Sequence, residues 1–237
     1  MLVLTKEEQN RIQEEIRGKD RRVLLGVTGG IASGKTAVSR MLEELGARTI
    51  DFDVLSRVVV EPGKPAWKEV VAYFGEQVLL GDKTLDRKKL AEIVFHDPEK
   101  RKKLEGFIHP RIYEEFSRRV QEYASADPEV IIQVAVPLLV EANLQHFFHK
   151  ILLVYIPAQM QIERLMDRDR ISREMAVKML SSQLPIEEKR SHADFIVDNS
   201  GSLEETRRQV KEVWKKLKEF QKGRAPRTPP PFSSPKV

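Results

Sequence analysis

The 237-residue chain contains no cysteine, which excludes disulfides and thiolate metal sites and fits a reducing compartment. No hydrophobic run is long enough to cross a bilayer: the most apolar stretch, residues 130–140, is interrupted by Gln133 and Pro137. The apolar start Met1-Leu2-Val3-Leu4 meets charged residues at once, so it is too short for a signal peptide. These absences predict a cytoplasmic protein with no membrane contact. A clustered excess of one charge sign is also missing from the body. The formal net charge is +5, but Lys222, Arg224, Arg227 and Lys236, with the single net positive charge of residues 1–22, account for all of it. The near-neutral remainder weakens the case for a general nucleic-acid binder, which would want a clustered basic face, and no nucleic-acid partner is expected. What the chain does have is 41% apolar residues, enough to fill the core of one large domain.

The most informative segment is Val23-Leu24-Leu25-Gly26-Val27-Thr28-Gly29-Gly30-Ile31-Ala32-Ser33-Gly34-Lys35-Thr36. An apolar run suited to a buried parallel strand leads into Gly-x-x-x-x-Gly-Lys-Thr. Ala37, Val38, Met41, Leu42 and Leu45 then recur at helical spacing. In that setting the glycines let successive amides face an anion, Lys35 adds a mobile positive charge, and the Thr36 hydroxyl is suited to ligate magnesium. Residues Gly29 to Ala37, namely Gly29, Gly30, Ile31, Ala32, Ser33, Gly34, Lys35, Thr36 and Ala37, are therefore the expected site for the phosphates of a nucleoside triphosphate.

Further strands are expected at residues 48–53, ending in the carboxylates Asp51 and Asp53, at 130–136, at 151–156 and at 195–197. Two carboxylates two apart at a strand end project to one side if the strand persists that far. Between the second and third strands a helical region reaches Ala126, with breaks expected near Gly75, Gly81, Asp97-Pro98 and His109-Pro110. Within it Trp67, Tyr73 and Phe74 read as core. Strands alternating with helices predict an α/β fold with a five-stranded parallel sheet between two helical layers, and ligands at the carboxyl ends of the strands. Residues 5–22 predict a polar helix or a mobile arm. Residues 221–237 are rich in proline and basic, with too few apolar residues to fold alone. A disordered tail is expected there, with a polyproline ligand for a partner as the sharper alternative.

The loop alone does not choose a reaction. No Asn-Lys-x-Asp segment is present to read guanine, and Asp198-x-x-Gly201 follows the last strand, so a GTPase is set aside. The combined phrases Thr28-Gly29-Gly30-Ile31-Ala32-Ser33-Gly34-Lys35-Thr36, Asp51-Phe52-Asp53 with Arg57, Glu61-Pro62-Gly63-Lys64-Pro65, Ile108-His109-Pro110, Val136-Pro137-Leu138-Leu139-Val140-Glu141 and Ala193-Asp194-x-x-Val197-Asp198-Asn199 resemble the dephospho-coenzyme A kinases. The resemblance runs from about Val23 to Leu217. One departure is Ala32, where the family commonly has a third glycine; a methyl group is tolerated there if φ is negative.

The resemblance implies a P-loop NTPase-type three-layer sandwich over residues 23–220. It would carry a helical acceptor-binding insert at about 57–127 and a lid at about 160–192, with 1–22 as a charged extension. It implies ATP and dephospho-CoA as substrates, Mg2+ as cofactor, and transfer of the γ-phosphoryl group to the ribose 3′-hydroxyl. Lys35 and the loop amides would hold the phosphates, Thr36 the metal, and Asp53 the hydroxyl proton, with Asp51 supporting the metal or its waters on the acceptor side. Arg57, Arg87 and His109 would bind the acceptor, although His109 before Pro110 equally suits a helix start. In the arginine-dense lid, Arg168 aligns best with the family's phosphate-facing arginine and Arg164 is second choice; Gln183 falls in a second lid helix. The rival expectations are a P-loop kinase for another ribose-bearing acceptor, and a nucleotide-regulated binding protein that recruits partners through its basic ends.

Overall fold

A computed structural model describes residues 6–18 and 20–224; the proline-rich stretch from residue 225 onward lies outside the described residues. The sequence of elements is α1 (Lys6–Arg17), β1 (Val23–Gly29), α2 (Lys35–Glu44), β2 (Arg48–Asp51), α3 (Phe52–Val58), α4 (Pro65–Phe74), α5 (Arg87–Phe95), α6 (Pro98–Ala126), β3 (Ile131–Ala135), β4 (Lys150–Tyr155), α7 (Ala158–Asp169), α8 (Arg173–Leu180), α9 (Ile186–Arg190), β5 (Phe195–Asp198) and α10 (Leu203–Gly223).

All five strands are parallel, in the order β2-β3-β1-β4-β5, with Val23 opposite Ile131, Leu25 opposite Lys150, Arg48 opposite Ile132 and Leu152 opposite Phe195. β1 is central and buried along its whole length, which is why it reads as a near-continuous apolar run. Alternate residues of a strand face opposite sides. Leu24 faces a core shared with α1, α3–α6, Ile132 and Val134, whereas Val23, Leu25 and Val27 face Val38, Met41 and Leu42 of α2 and Val210, Val213 and Leu217 of α10. On the first side Phe116 is fully buried beneath the edge-on ring of Phe52, a burial worth about 2–3 kcal/mol.

Helix starts follow local chemistry. Asp86 caps α5 by accepting from Lys89 N, Asp97 caps α6 by accepting from Lys100 N with Pro98 in its first turn, and Ser202 with Glu205 forms a reciprocal capping box on α10.

Four features differ from the sequence expectation or decide between its alternatives. Residues 6–17 are a helix, not an arm: Ile12 and Ile16 lie one turn apart and dock into the core against α6. The expected break at His109-Pro110 is absent, because both residues lie inside α6, a helix of 29 residues. A proline deletes a single helical hydrogen bond, and the apolar residues Ile112, Tyr113, Phe116 and Val120 beyond it hold the helix against the core. β2 stops at Asp51, so Asp53 is helical. Finally, α10 runs to Gly223, held by Gln221, which is buried and donates to Arg21 O and Glu129 O. Order therefore continues past residue 220. Of the three aromatics read as core, Phe74 is buried, Trp67 is partly buried and donates to Lys83 O, and Tyr73 is about half exposed, edge-on to Phe74 and Phe107.

Candidate active site

β1 ends at Gly29 and the chain turns directly into α2. Gly34, the N-cap of α2, has the left-handed angles φ 88° and ψ 25°, and a Cβ there would collide with Asn199 Nδ2. Ser33 N donates to Gly30 O at 3.2 Å and Ala37 N to Gly34 O at 3.0 Å, which tightens the loop around its own backbone. Lys35 Nζ folds back onto Gly29 O at 3.0 Å and Gly30 O at 3.1 Å. Burial is the main cause that pushes this ammonium down from its usual 10.5 to about 8; Lys189 and Arg168 act in the same direction, and Asp53 and Glu141 oppose them. Thr36 lies in the first turn of α2, exposed on the same mouth.

Ala32 does not meet the condition expected of it: its φ is +56°. A Cβ in that region is strained by about 1 kcal/mol. Gln183 is also placed differently from expectation. It follows α8 in a loop, and its Oε1 accepts from Ile31 N at 3.2 Å. Asn199 joins four segments: its Nδ2 donates to Ser33 O at 2.8 Å, its Oδ1 accepts from Thr206 Oγ1 at 2.9 Å, its N donates to Tyr155 O, and its O accepts from Arg164 Nη2 at 3.0 Å.

On the other bank, Asp51 and Asp53 do not share a strand face. Asp51 is the N-cap of α3 and its Oδ1 accepts from Asp53 N at 2.8 Å and Val54 N at 3.3 Å. A carboxylate accepting its own downstream amides starts a helix, and this is why the strand stops there. Asp53, in the first turn of α3, is exposed and lines a cavity of about 570 Å³ whose walls include Phe52, His109, Tyr113, Pro137 and Glu141. His109 is half-buried, its Nδ1 has no hydrogen-bond partner among the described residues, and burial lowers its affinity for a proton.

Arg57 lies in the last turn of α3 and Arg87 begins α5. Arg87 Nη2 donates to Ser56 O at 3.2 Å, and the nearby Arg57 charge, after burial, disfavours its protonated form. Two adjacent guanidinium groups of like charge suit an anionic ligand.

In the segment read as a lid, Arg168 sits in the last turn of α7 and is 56% exposed. It forms a fork with its neighbour, Nε to Asp169 Oδ1 at 2.7 Å and Nη2 to Asp169 Oδ2 at 2.8 Å. Arg164 is the more buried of the two and is committed to the Asn199 carbonyl.

Sequence reasoning gave no role to Lys189, Glu141 or Asn199. Lys189 is fully buried, with Nζ 2.6 Å from Glu141 Oε1 in an ion pair whose direction falls outside hydrogen-bond geometry. Nothing local in the charged stretch of residues 187–190 distinguishes it from a surface lysine. Glu141 and Asn199 lie in motifs that were read, but their partners are far away in the chain.

A parallel sheet in this order, a glycine-rich loop closing on a lysine between β1 and α2, and a carboxylate facing both that loop and a cavity define a P-loop phosphotransferase of the small-molecule kinase type. A family model described as dephospho-CoA kinase matches residues 23–205. The chain belongs to the dephospho-CoA kinase family. It is 42% identical over 196 residues to the dephospho-CoA kinase of Halalkalibacterium halodurans, covering 83% of this chain and 97% of that one. It is 45% identical over 193 residues to that of Syntrophus aciditrophicus, covering 81% and 82%. Among solved structures it resembles TT1252 from Thermus thermophilus, with a TM-score of 0.70 at 34% identity over 83% of this chain and 98% of that one. It also resembles dephospho-CoA kinase from Campylobacter jejuni, at 0.57 and 29% over the same shares.

Proposed function

We propose that this chain transfers the γ-phosphoryl group of ATP to the ribose 3′-hydroxyl of dephospho-CoA, giving CoA and ADP, the last step of CoA biosynthesis. The observation that carries this reading is that Asp53 is both a wall of the cavity and one of the charges acting on the Lys35 ammonium. One carboxylate thus borders the acceptor and the phosphates together.

Phosphoryl transfer needs positioning, an acceptor for the hydroxyl proton and neutralised charge. In this reading Lys35 leaves the carbonyls of Gly29 and Gly30 for the β- and γ-phosphates, and those loop amides that have no acceptor within the protein cradle the rest. Asp53 takes the proton of the attacking hydroxyl. Arg57 and Arg87 receive the acceptor's diphosphate, and His109 and the apolar cavity wall receive its uncharged parts. Arg168 exchanges Asp169 for the transferring phosphoryl group as the segment from about 160 to 192 closes over the site and excludes water, with Arg164 anchoring that segment to Asn199.

Thr36, in the first turn of α2, offers a hydroxyl oxygen and Asp51, at the end of β2, a carboxylate, donors that suit Mg2+. Among the described residues no three metal-binding side chains gather into a cage. When bound, Mg2+ neutralises charge on the β- and γ-oxygens. Among the described residues no helix is long and apolar enough to cross a membrane, and the reading places the enzyme in the cytoplasm with its small-molecule substrates.

The test is incubation with Mg2+, ATP and dephospho-CoA, read by mass spectrometry. Formation of CoA at enzymatic rates, with adenosine inert, is the expected result. Tight ATP binding without product would return the assignment to another acceptor.

A further inference from the structure

Glu141 lies beyond β3 on the wall of the same cavity as Asp53. Its Oε1 is held twice from the segment after α8: Leu184 N donates to it at 3.0 Å and the Lys189 ammonium sits 2.6 Å away. Its Oε2 takes part in no hydrogen bond among the described residues. Burying a lysine completely is costly unless its charge is compensated, and Lys189 is compensated by this carboxylate. The pair has two physical effects. It fixes the direction of the Glu141 carboxylate, and it cancels a negative charge that would otherwise repel phosphates beside Lys35. Asp53 and Glu141 line one cavity and both act on the charge of Lys35, so in the phosphoryl-transfer reading both border the place where the group is transferred.

A carboxylate only accepts hydrogen bonds, so the group that meets Oε2 must be a donor. A ribose presenting one hydroxyl to Asp53 carries a second hydroxyl on the adjacent carbon, cis to the first. We propose that Glu141 is a specificity-determining residue whose Oε2 accepts a hydrogen bond from the acceptor's 2′-hydroxyl, so that the 3′-hydroxyl is the one aimed at Asp53 and the γ-phosphate. Lys189 is the positioning residue that holds it there. This rests on the phosphoryl-transfer reading above. It gives the enzyme a reason to prefer ribose over 2′-deoxyribose and to reject an acceptor already phosphorylated at the 2′ position.

The experiment compares kcat/KM for dephospho-CoA and its 2′-deoxy analogue. The wild-type chain is expected to prefer the ribose acceptor by roughly 10- to 100-fold, the range for a hydrogen bond to a charged group. Glu141→Gln leaves an oxygen for Leu184 N but strands the Lys189 charge, so the variant combining it with Lys189→Met, in which both charges are removed, is measured beside it, with circular dichroism as the check of folding. In the double variant the preference should fall to within about threefold. The loss should fall on the ribose acceptor alone, with KM for ATP unchanged. Lys189→Arg, which keeps the pair, should retain most of the preference. A preference near one in the wild-type chain, or one that survives in the double variant, overturns the proposal while leaving phosphoryl transfer standing. A wild-type chain inert toward both acceptors overturns the phosphoryl-transfer reading itself.

Discussion

The two banks of the site are built differently. The loop of residues 29–37 is held by contacts from two distant segments, Gln183 on Ile31 N and Asn199 on Ser33 O, and by its own Lys35 closing onto the carbonyls of Gly29 and Gly30. The opposite bank is open. Asp53, Arg57 and Arg87 are exposed, and Arg168 is occupied with the carboxylate next to it in sequence. In the proposed function the loop bank has its shape set by the protein's own contacts, whereas the other bank would gather its charges as an anion displaces Asp169 from Arg168. In that reading, preorganisation on one bank would lower the entropy cost of binding the nucleotide, and the open bank would admit a long acceptor.

The comparison can be broken most sharply at Asp53. Asp53→Asn should lower turnover by about 10²- to 10⁴-fold while nucleotide affinity, measured by titration calorimetry, stays nearly constant; a near-normal rate would remove Asp53 as the base. Arg168→Ala comes next. Turnover should fall by about 10²-fold, more than ATP binding weakens, because the guanidinium acts on charge that develops during transfer. Arg87→Ala should raise KM for the acceptor by about tenfold with KM for ATP unmoved. Equal effects on both substrates would mean that the two banks are not independent.

The pH dependence sharpens the same contrast. Because Lys35 is held at about 8 rather than 10.5, the folded chain loses its proton more readily than the unfolded chain, and folding stability rises as pH climbs between those values. Nucleotide binding should then take up a proton, and affinity should fall by up to about tenfold per pH unit above 8. Calorimetry in buffers of different ionisation enthalpy reads this directly, and binding without proton uptake at pH 8.5 would contradict it. The smallest expected effect is at Ala32. Ala32→Gly should raise stability by up to about 1 kcal/mol in chemical denaturation, by relieving the positive φ.

The nucleotide bank was largely legible in the sequence and the acceptor bank much less so, for a physical reason. Strand, loop and α2 are set by spacing within one short stretch, where a glycine pattern and helical periodicity act locally. Asp51 and Asp53 were found as residues but misplaced in geometry, because an aspartate ending a strand is equally the best residue to cap a helix, and here the cap prevails. His109-Pro110 was read as a break because proline opposes helix locally, yet tertiary packing of Ile112 through Val120 outweighs one missing hydrogen bond. Gln183 and Lys189 reach their partners Ile31 and Glu141 only after the chain has folded back on itself, and no local pattern marks such a contact.

The strand order has a consequence for how the enzyme is made. β1 and its phosphate loop leave the ribosome early, but β1 is the middle of the sheet and has no neighbour until Ile131–Ala135 and Lys150–Tyr155 have been synthesised. Everything between β2 and β3, the four helices of residues 52–126 and the turns between them, must first be threaded out and set aside. Such non-local parallel pairing is slow, and an apolar strand waiting for partners is exposed to aggregation. The most recognisable part of this chain is therefore among the first to be translated and among the last to acquire its final shape.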